Sequence, residues 1–195
     1  MAARCVSEHT RAPYRPQFSW HADVAGIGLV MEVVPAPGAC TAVILTHNQL
    51  VTWVLIVATL SAGLFSGAAI YINAVEHPAR LSCGTELAVR EFAPSYRRAT
   101  VMQASLAVTG CLTGLWSAWA SSDIWLALGA ILLGAVVPFT LIVILPTNNA
   151  LLDGTLDPRS QKARLLLIRW GRLHAIRSIL STAAFVLFLL RLAVS

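Results

Sequence analysis

Long apolar stretches separated by short polar segments dominate most of the chain, and their lengths decide what they form. A helix needs about 20 mainly apolar residues to cross roughly 30 Å of hydrocarbon at 1.5 Å per residue. No Asp, Glu, Lys or Arg occurs between Glu32 and Glu76, between Arg98 and Asp123, or between Asp123 and Asp153, so each interval can hold one span. A fourth stretch, from about Leu173 to Leu190, is less clean because His174 and Arg177 stand in its first turns. It still reads as a span, since Ile179, Leu180, Ala183, Ala184, Phe185, Val186, Leu187, Phe188, Leu189 and Leu190 leave almost no polar face. The pattern predicts an all-α integral membrane four-helix bundle over residues 43–195, with spans at about 50–74, 99–121, 124–146 and 174–193. Ser121-Ser122-Asp123 joins the second and third as a tight hairpin.

Residues 1–42 are a different material. Pro13, Pro16, Pro35 and Pro37 interrupt them, Arg4, Arg11 and Arg15 are scattered among them, and their apolar run, Val24 to Met31, stops at Glu32, too short to cross. No apolar core follows the early basic residues, so this is not a cleaved secretory signal. An organelle-targeting reading is weakened by Glu8 and Asp23. We read a mobile or surface-lying arm.

Composition agrees with a lipid solvent: 57% of the 195 residues are hydrophobic and 12% charged, against about 25% charged in soluble domains. The mean hydropathy is +0.72. The net charge of +5 does not point to nucleic acid, because its placement follows the membrane. Of the fourteen cations, Arg80, Arg90, Arg97 and Arg98 fall in the first loop, and Arg159, Lys162, Arg164, Arg169, Arg172 and Arg177 in or beside the third. By the positive-inside rule both long loops are cytoplasmic and both termini lumenal. Cys5, Cys40, Cys83 and Cys111 are widely separated, with no C-x-x-C or His-rich spacing for zinc or a redox pair. There is no Gly-rich phosphate loop, H-E-x-x-H or G-x-S-x-G. Gly63-x-x-x-Gly67 and Gly110-x-x-x-Gly114 place flat patches on the first two spans, where helices can approach closely.

This topology gathers the unusual residues at one membrane face. Asn73, His77 and Arg80 stand at i, i+4 and i+7, as do Trp170, His174 and Arg177, so each trio lines one helix face. Pro78 should end or bend the first helix at His77. If the last span finishes near Val194, Arg177 falls inside the hydrocarbon boundary, where a charge costs about 2.5 to 3.5 kcal/mol and usually faces a partner or a wet cavity. Each residue also has a plainer reading. Arg177 can snorkel to the headgroups, His77 and His174 can bond neighbouring loops, Trp170 can anchor the interface, Asn148 and Asn149 can cap the third helix, and Glu76 can pair with a loop arginine. His47 lies at the opposite end of the first span, away from this cluster.

The run from Ser66 to Arg80, Pro138-Phe139-Thr140 followed by Pro146-Thr147-Asn148-Asn149, and Trp170-x-x-x-His174-x-x-Arg177 together resemble the anthrone oxygenase family over about residues 50 to 193. Asn73, His77 and Arg80 match its first motif, Thr140, Thr147 and Asn148 its second, and Trp170, His174 and Arg177 its third. The resemblance implies a four-span membrane monooxygenase that oxidises an anthrone-type polyketide intermediate to an anthraquinone with O2, in secondary-metabolite biosynthesis. It also implies a eukaryotic endomembrane, ER or vesicle. Chemistry then suggests roles. An anthrone methylene loses a proton to give a delocalised carbanion that passes an electron to oxygen directly, so no cofactor is required in principle. His174 or His77 would be the base. Arg177, Arg80 and Asn148 would hold the oxyanion and phenols, and Trp170 and Tyr71 would stack on the rings. Asn73, Thr140 and Thr147 complete the substrate-binding set. The rival uses the histidines, with Glu76, as ligands for a metal or haem. A different class stays open: a non-catalytic scaffold or carrier for a hydrophobic intermediate. The partners expected are a small aromatic polyketide and the bilayer, not nucleic acid, with room for a homo-oligomer or other pathway enzymes.

Overall fold

The computed structural model describes residues 17–22, 29–34 and 39–194, with side chains from residue 48 onward. Contacts divide the chain into two compact units, Met1–Gln49 and Leu50–Ser195. The first unit holds an antiparallel hairpin of β1 (Gln17–Ala22) and β2 (Leu29–Val34), whose register pairs Phe18 with Val33, Trp20 with Met31 and Ala22 with Leu29. The arm reading missed these strands. Their sequence signal is the period-two alternation of Phe18, Trp20 and Ala22, which three short apolar positions make faint. Cys5 lies outside the described residues, and the side chains of Cys40 and His47 do as well.

Long helices make up the rest: α1 (Ala39–Tyr71) continued by α2 (His77–Ser82), α3 (Thr85–Ser121), α4 (Ile124–Phe139) continued by α5 (Leu145–Leu152), and α6 (Gln161–Leu192). Among the described residues three stretches are long and apolar enough to cross a membrane, Asn48–Ser82, Ile124–Leu152 and Gln161–Leu192. The order of strength therefore differs from the charge-free count. The last span, which charge made the least clean, qualifies, whereas α3 does not, because Gln103, Ser105, Thr109, Thr113 and Ser117 dilute a segment without charges. α3 nonetheless lies in the bundle core through Ala107, Gly110, Gly114 and Ala118. Two of its hydroxyls are satisfied locally, Thr113 donating to the Thr109 carbonyl at 2.7 Å and Ser105 to that of Met102 at 2.9 Å, whereas Ser117 Oγ is buried without a partner. The fold is an all-α four-helix integral membrane bundle.

Its outer surface is apolar in a way water does not tolerate. Trp53, Leu60, Leu64, Ile131, Ile142, Ile179 and Leu190 are all exposed. Exposed Trp53 and Tyr71 stand eighteen residues apart on α1, about 27 Å along the axis and close to the hydrocarbon thickness. Exposed Trp119 and Trp125 flank the hairpin, so aromatic residues mark both interfaces.

The hairpin forms as its sequence predicts. Ser122 takes a left-handed conformation (φ 53°) that ends α3, and Asp123 caps α4 by accepting from the Trp125 amide at 2.9 Å. Arg191 near the end of α6 reaches Asp123 at 2.6 Å, tying that helix end to the hairpin. Small residues set the interhelical distances. A Cβ at Gly110 would stand 2.5 Å from Leu133, one at Gly114 2.6 Å from Phe188, and one at Gly63 2.9 Å from Phe185. Gly67 has no such neighbour within 4 Å, so only one member of the first small-residue pair is a contact.

At the other end the helices run past the span limits that charge suggested, and the two long loops shrink to turns. α3 has 37 residues, about 55 Å, well beyond the hydrocarbon. Two apolar clusters result. One fills the bundle with Leu55, Ala58, Ala62, Phe65, Leu126, Leu133, Ala184 and Phe188 among others. The second, Ala88, Phe92, Ile144, Leu151, Leu167 and Trp170, roofs the overhanging ends. Arg159, in the connection before α6, binds Glu86 of α3 at 2.6 Å, with Arg90 at 2.7 Å on its other oxygen. The Arg159 hydrogen bond, helped by the charge of both guanidiniums, holds the Glu86 carboxyl below its usual range.

Neither proline ends its helix. A π-helical turn, Ile72–Glu76, precedes Pro78, and another, Thr140–Ile144, precedes Pro146. In both, the residue before the proline donates its amide five residues back, His77 to Ile72 and Leu145 to Thr140. Proline lacks an amide hydrogen and clashes with the carbonyl four residues back. One extra residue in the preceding turn accommodates that clash and lets the helix continue, which corrects the expectation that Pro78 could end it. Such turns cluster at functional sites, and both lie where the polar residues gather.

Candidate functional site

A cavity lies between the two apolar clusters, at the level where Tyr71 marks the interface. Its volume is about 120 Å3, below the roughly 300–1,000 Å3 of ligand pockets, and it is open at a mouth. Phe65, Phe92, Tyr96, Val136, Val137 and Trp170 give it apolar walls. Its polar lining is Glu76, Arg80, Ser95, Thr100, Gln103, Thr140, Asn148, His174 and Arg177. The lining residues that are exposed, Thr100, Ala104 and Leu141, sit on α3 and the second π-helical turn, so the mouth opens sideways between those two elements.

His174 is buried on α6, and its Nδ1 bonds Asn73 Oδ1, which also accepts from Ser178 Oγ at 3.2 Å. Trp170 stacks on the imidazole with centroids 4.8 Å apart and planes at 30°. The indole Nε1 donates to Asn148 Oδ1 at 2.9 Å. Because that nitrogen is a donor only, the amide orientation of Asn148 is settled and its NH2 remains available. One turn beyond His174, Arg177 donates through Nη2 to Gln103 Oε1 at 2.7 Å and lies over the Phe65 ring at 5.5 Å. Its Nε and the Nε2 of Gln103 are buried donors without acceptors, and among the described residues no carboxylate pairs with Arg177.

Arg80 contrasts with it. Glu76 pairs with its guanidinium, Glu91 approaches its Nε at 2.8 Å, and Ser95 bridges at 3.3 Å to Arg80 and 3.1 Å to Glu76. Two carboxylates thus neutralise that cation at the cavity edge.

The sequence-predicted residues separate accordingly. His174, Arg177, Asn148, Arg80, Thr140 and Trp170 share the cavity. Thr140 spends its hydroxyl on the Val136 carbonyl at 2.7 Å. His77 stands behind Trp170, 5.3 Å between centroids, with its imidazole pressed on the backbone of Gly171, where a Cβ would meet Nε2 at 2.5 Å. Asn73 backs His174, Thr147 is buried without a partner for Oγ1, and Tyr71 is exposed on the outer face. Gln103, Tyr96, Phe92 and Phe65 were given no role from sequence, and each lines the cavity. Gln103 had a usable signal, as a lone amide within a charge-free span. The aromatic residues had none, because they read as ordinary apolar positions. Among the described residues no three His, Cys, Asp or Glu side chains gather as metal ligands.

Comparison with known proteins follows the same residues. A family model described as anthrone oxygenase matches residues 92–187, which include Asn148, Trp170, His174 and Arg177. The anthrone oxygenase tpcL of Aspergillus fumigatus is 31% identical over 140 residues, covering 67% of this chain and 87% of that protein. An anthrone oxygenase of Claviceps purpurea is 31% identical over 151 residues, 70% of this chain and 86% of the relative. The anthrone oxygenase nsrD of Aspergillus novofumigatus is 29% identical over 140 residues, 66% and 86% respectively. No solved structure matches the chain.

Proposed function

Since the chain belongs to the anthrone oxygenase family, we propose that it oxidises an anthrone-type aromatic to the anthraquinone with molecular oxygen in the cavity beneath Trp170. One observation carries this reading: a guanidinium with a buried Nε and, among the described residues, no carboxylate partner shares an apolar, aromatic-walled cavity at the membrane interface with an imidazole. An uncompensated cation there calls for an anion. A deprotonated anthrone supplies one, flat and apolar except for its oxygens.

His174 removes a methylene proton, and the negative charge spreads to the ketone oxygen. Arg177, Gln103 Nε2 and the Asn148 NH2 donate to that oxygen, stabilising charge as it develops in a site poor in water. The delocalised anion transfers an electron to O2, and recombination forms a C–O bond at the former methylene carbon. The resulting peroxide takes the proton from His174. Loss of the remaining methylene hydrogen with cleavage of the O–O bond leaves the second carbonyl and releases water. One oxygen atom is kept, the other leaves as water, and no external reductant enters. His77 has no place in these steps, because Trp170 stands between it and the cavity.

Oxygen uptake by detergent-purified, metal-analysed protein given anthrone tests the reading, with His174→Ala beside it and spontaneous oxidation subtracted. Uptake above background that disappears in the variant is expected, and stoichiometric metal in active protein would replace the direct electron transfer. Uptake at the spontaneous rate alone would overturn the enzymatic reading in favour of a carrier or scaffold.

A further inference from the structure

Asn73 lies in the first π-helical turn and does not line the cavity, yet it makes three hydrogen bonds to α6. Its Nδ2 donates to the Gly171 carbonyl at 3.1 Å. A carbonyl only accepts, so this bond settles which end of the amide is which. Oδ1 therefore faces α6, where Ser178 Oγ donates to it at 3.2 Å. The same oxygen contacts His174 Nδ1. An amide oxygen only accepts, so that nitrogen must carry a hydrogen.

We propose that Asn73 is a positioning residue that holds His174 as the Nδ1–H tautomer, leaving Nε2 unprotonated as the nitrogen that faces substrate. The proposal rests on His174 being the base of the reaction above, and it adds what makes the imidazole competent. A neutral histidine accepts a proton on one nitrogen only, and the partner of the other nitrogen selects which. In the opposite tautomer Nε2–H would point into the cavity as a donor, and Nδ1 would face the Asn73 oxygen lone pair to lone pair. The widened turn ahead of Pro78 brings the amide to this place, and Gly171 and Ser178 lock its orientation from either side. Trp170 fixes the ring plane by stacking, so tautomer and orientation have separate sources.

The test uses full-length protein labelled with 15N-histidine in detergent, with the His174 signals among the five histidines identified by their absence in His174→Gln. Wild-type protein is expected to show a protonated Nδ1 and a bare Nε2. In Asn73→Leu that signature is lost and anthrone oxidation falls on the order of 100-fold or more. Asn73→Asp, whose carboxylate can still accept from Nδ1–H, keeps the signature and stays within about tenfold of wild type. Nε2–H in the wild-type spectrum would overturn the inference, as would Asn73→Leu with unchanged tautomer and turnover. Far-UV circular dichroism and gel filtration separate a misfolded Leu variant from a folded one, and the Asp variant carries the test if Leu fails to fold. The wild-type spectrum needs no turnover, so the predicted tautomer without any anthrone oxidation supports the positioning role while overturning the reaction it would serve.

Discussion

Two arginines show how burial and partners separate residues of one type. Arg80 and Arg177 each close a helical trio, and their sequence contexts are alike. Arg80 is held by Glu76, Glu91 and Ser95, whereas Arg177 has a neutral amide and an aromatic face. Arg177→Gln should therefore lower kcat for anthrone oxidation by about 100- to 1,000-fold, the range for removing a donor to a developing oxyanion, with little change in thermal midpoint. Arg80→Gln should do the reverse. It leaves Glu76 and the half-exposed Glu91 unpaired at the end of the bundle, lowering the midpoint by the equivalent of about 1 kcal/mol, while the folded fraction keeps most of its turnover. Steady-state kinetics and a thermal melt on the same preparations distinguish the two.

At the scale of elements, contacts that helices make through glycine can be tested individually. Gly171→Ala would push a methyl into the His77 imidazole, which Trp170 prevents from moving aside, at an expected cost of about 1–3 kcal/mol. Gly67→Ala, with open space around it, is the control and should leave the melt unchanged or slightly raised. Ser122→Gly should raise stability by roughly 1 kcal/mol, because a left-handed serine is strained where glycine is not. The Glu86 pairing carries a pH dependence of defined sign. Its folded-state pKa is depressed, so its contribution is fully present above the unfolded value and is lost as pH falls through the folded one. The melting midpoint should fall across the acid side of the carboxylate range, and less steeply in Glu86→Gln.

The whole molecule places a polar site where a membrane-dissolved substrate can reach it. The cavity mouth between α3 and the second π-helical turn is rimmed by Thr100, Ala104 and Leu141, all exposed on the outer surface of the bundle. A flat apolar molecule can enter from the acyl-chain side without crossing the polar ends of the helices. Ala104→Phe, which narrows the rim without touching His174 or Arg177, should raise KM for anthrone about tenfold while leaving kcat within twofold, a loss of about 1.4 kcal/mol in kcat/KM. Equal loss of kcat would mean that the rim shapes the reaction itself and is more than an entrance.

How much of this was legible in the chain depends on the range of the interaction responsible. The presence of the long helices, the hairpin at Ser122 and Asp123, and the clustering of polar helix ends follow from hydropathy, local turn chemistry and charge placement, which act over a few neighbouring residues, whereas the extension of the helices beyond the apolar stretches did not. The motifs of the anthrone oxygenase family were equally local, and six of the ten singled-out residues share the cavity. The strands at 17–22 and 29–34 and the two π-helical turns were missed because weak alternation and a helix-breaking proline each admit more than one backbone solution. The division between His174 and His77, and between Arg177 and Arg80, belongs to tertiary structure alone. Each pair carries the same chemistry at similar spacing, and only side chains contributed by other helices, Asn73, Trp170, Gln103 and Glu91, decide which imidazole meets the cavity and which guanidinium keeps its charge unpaired.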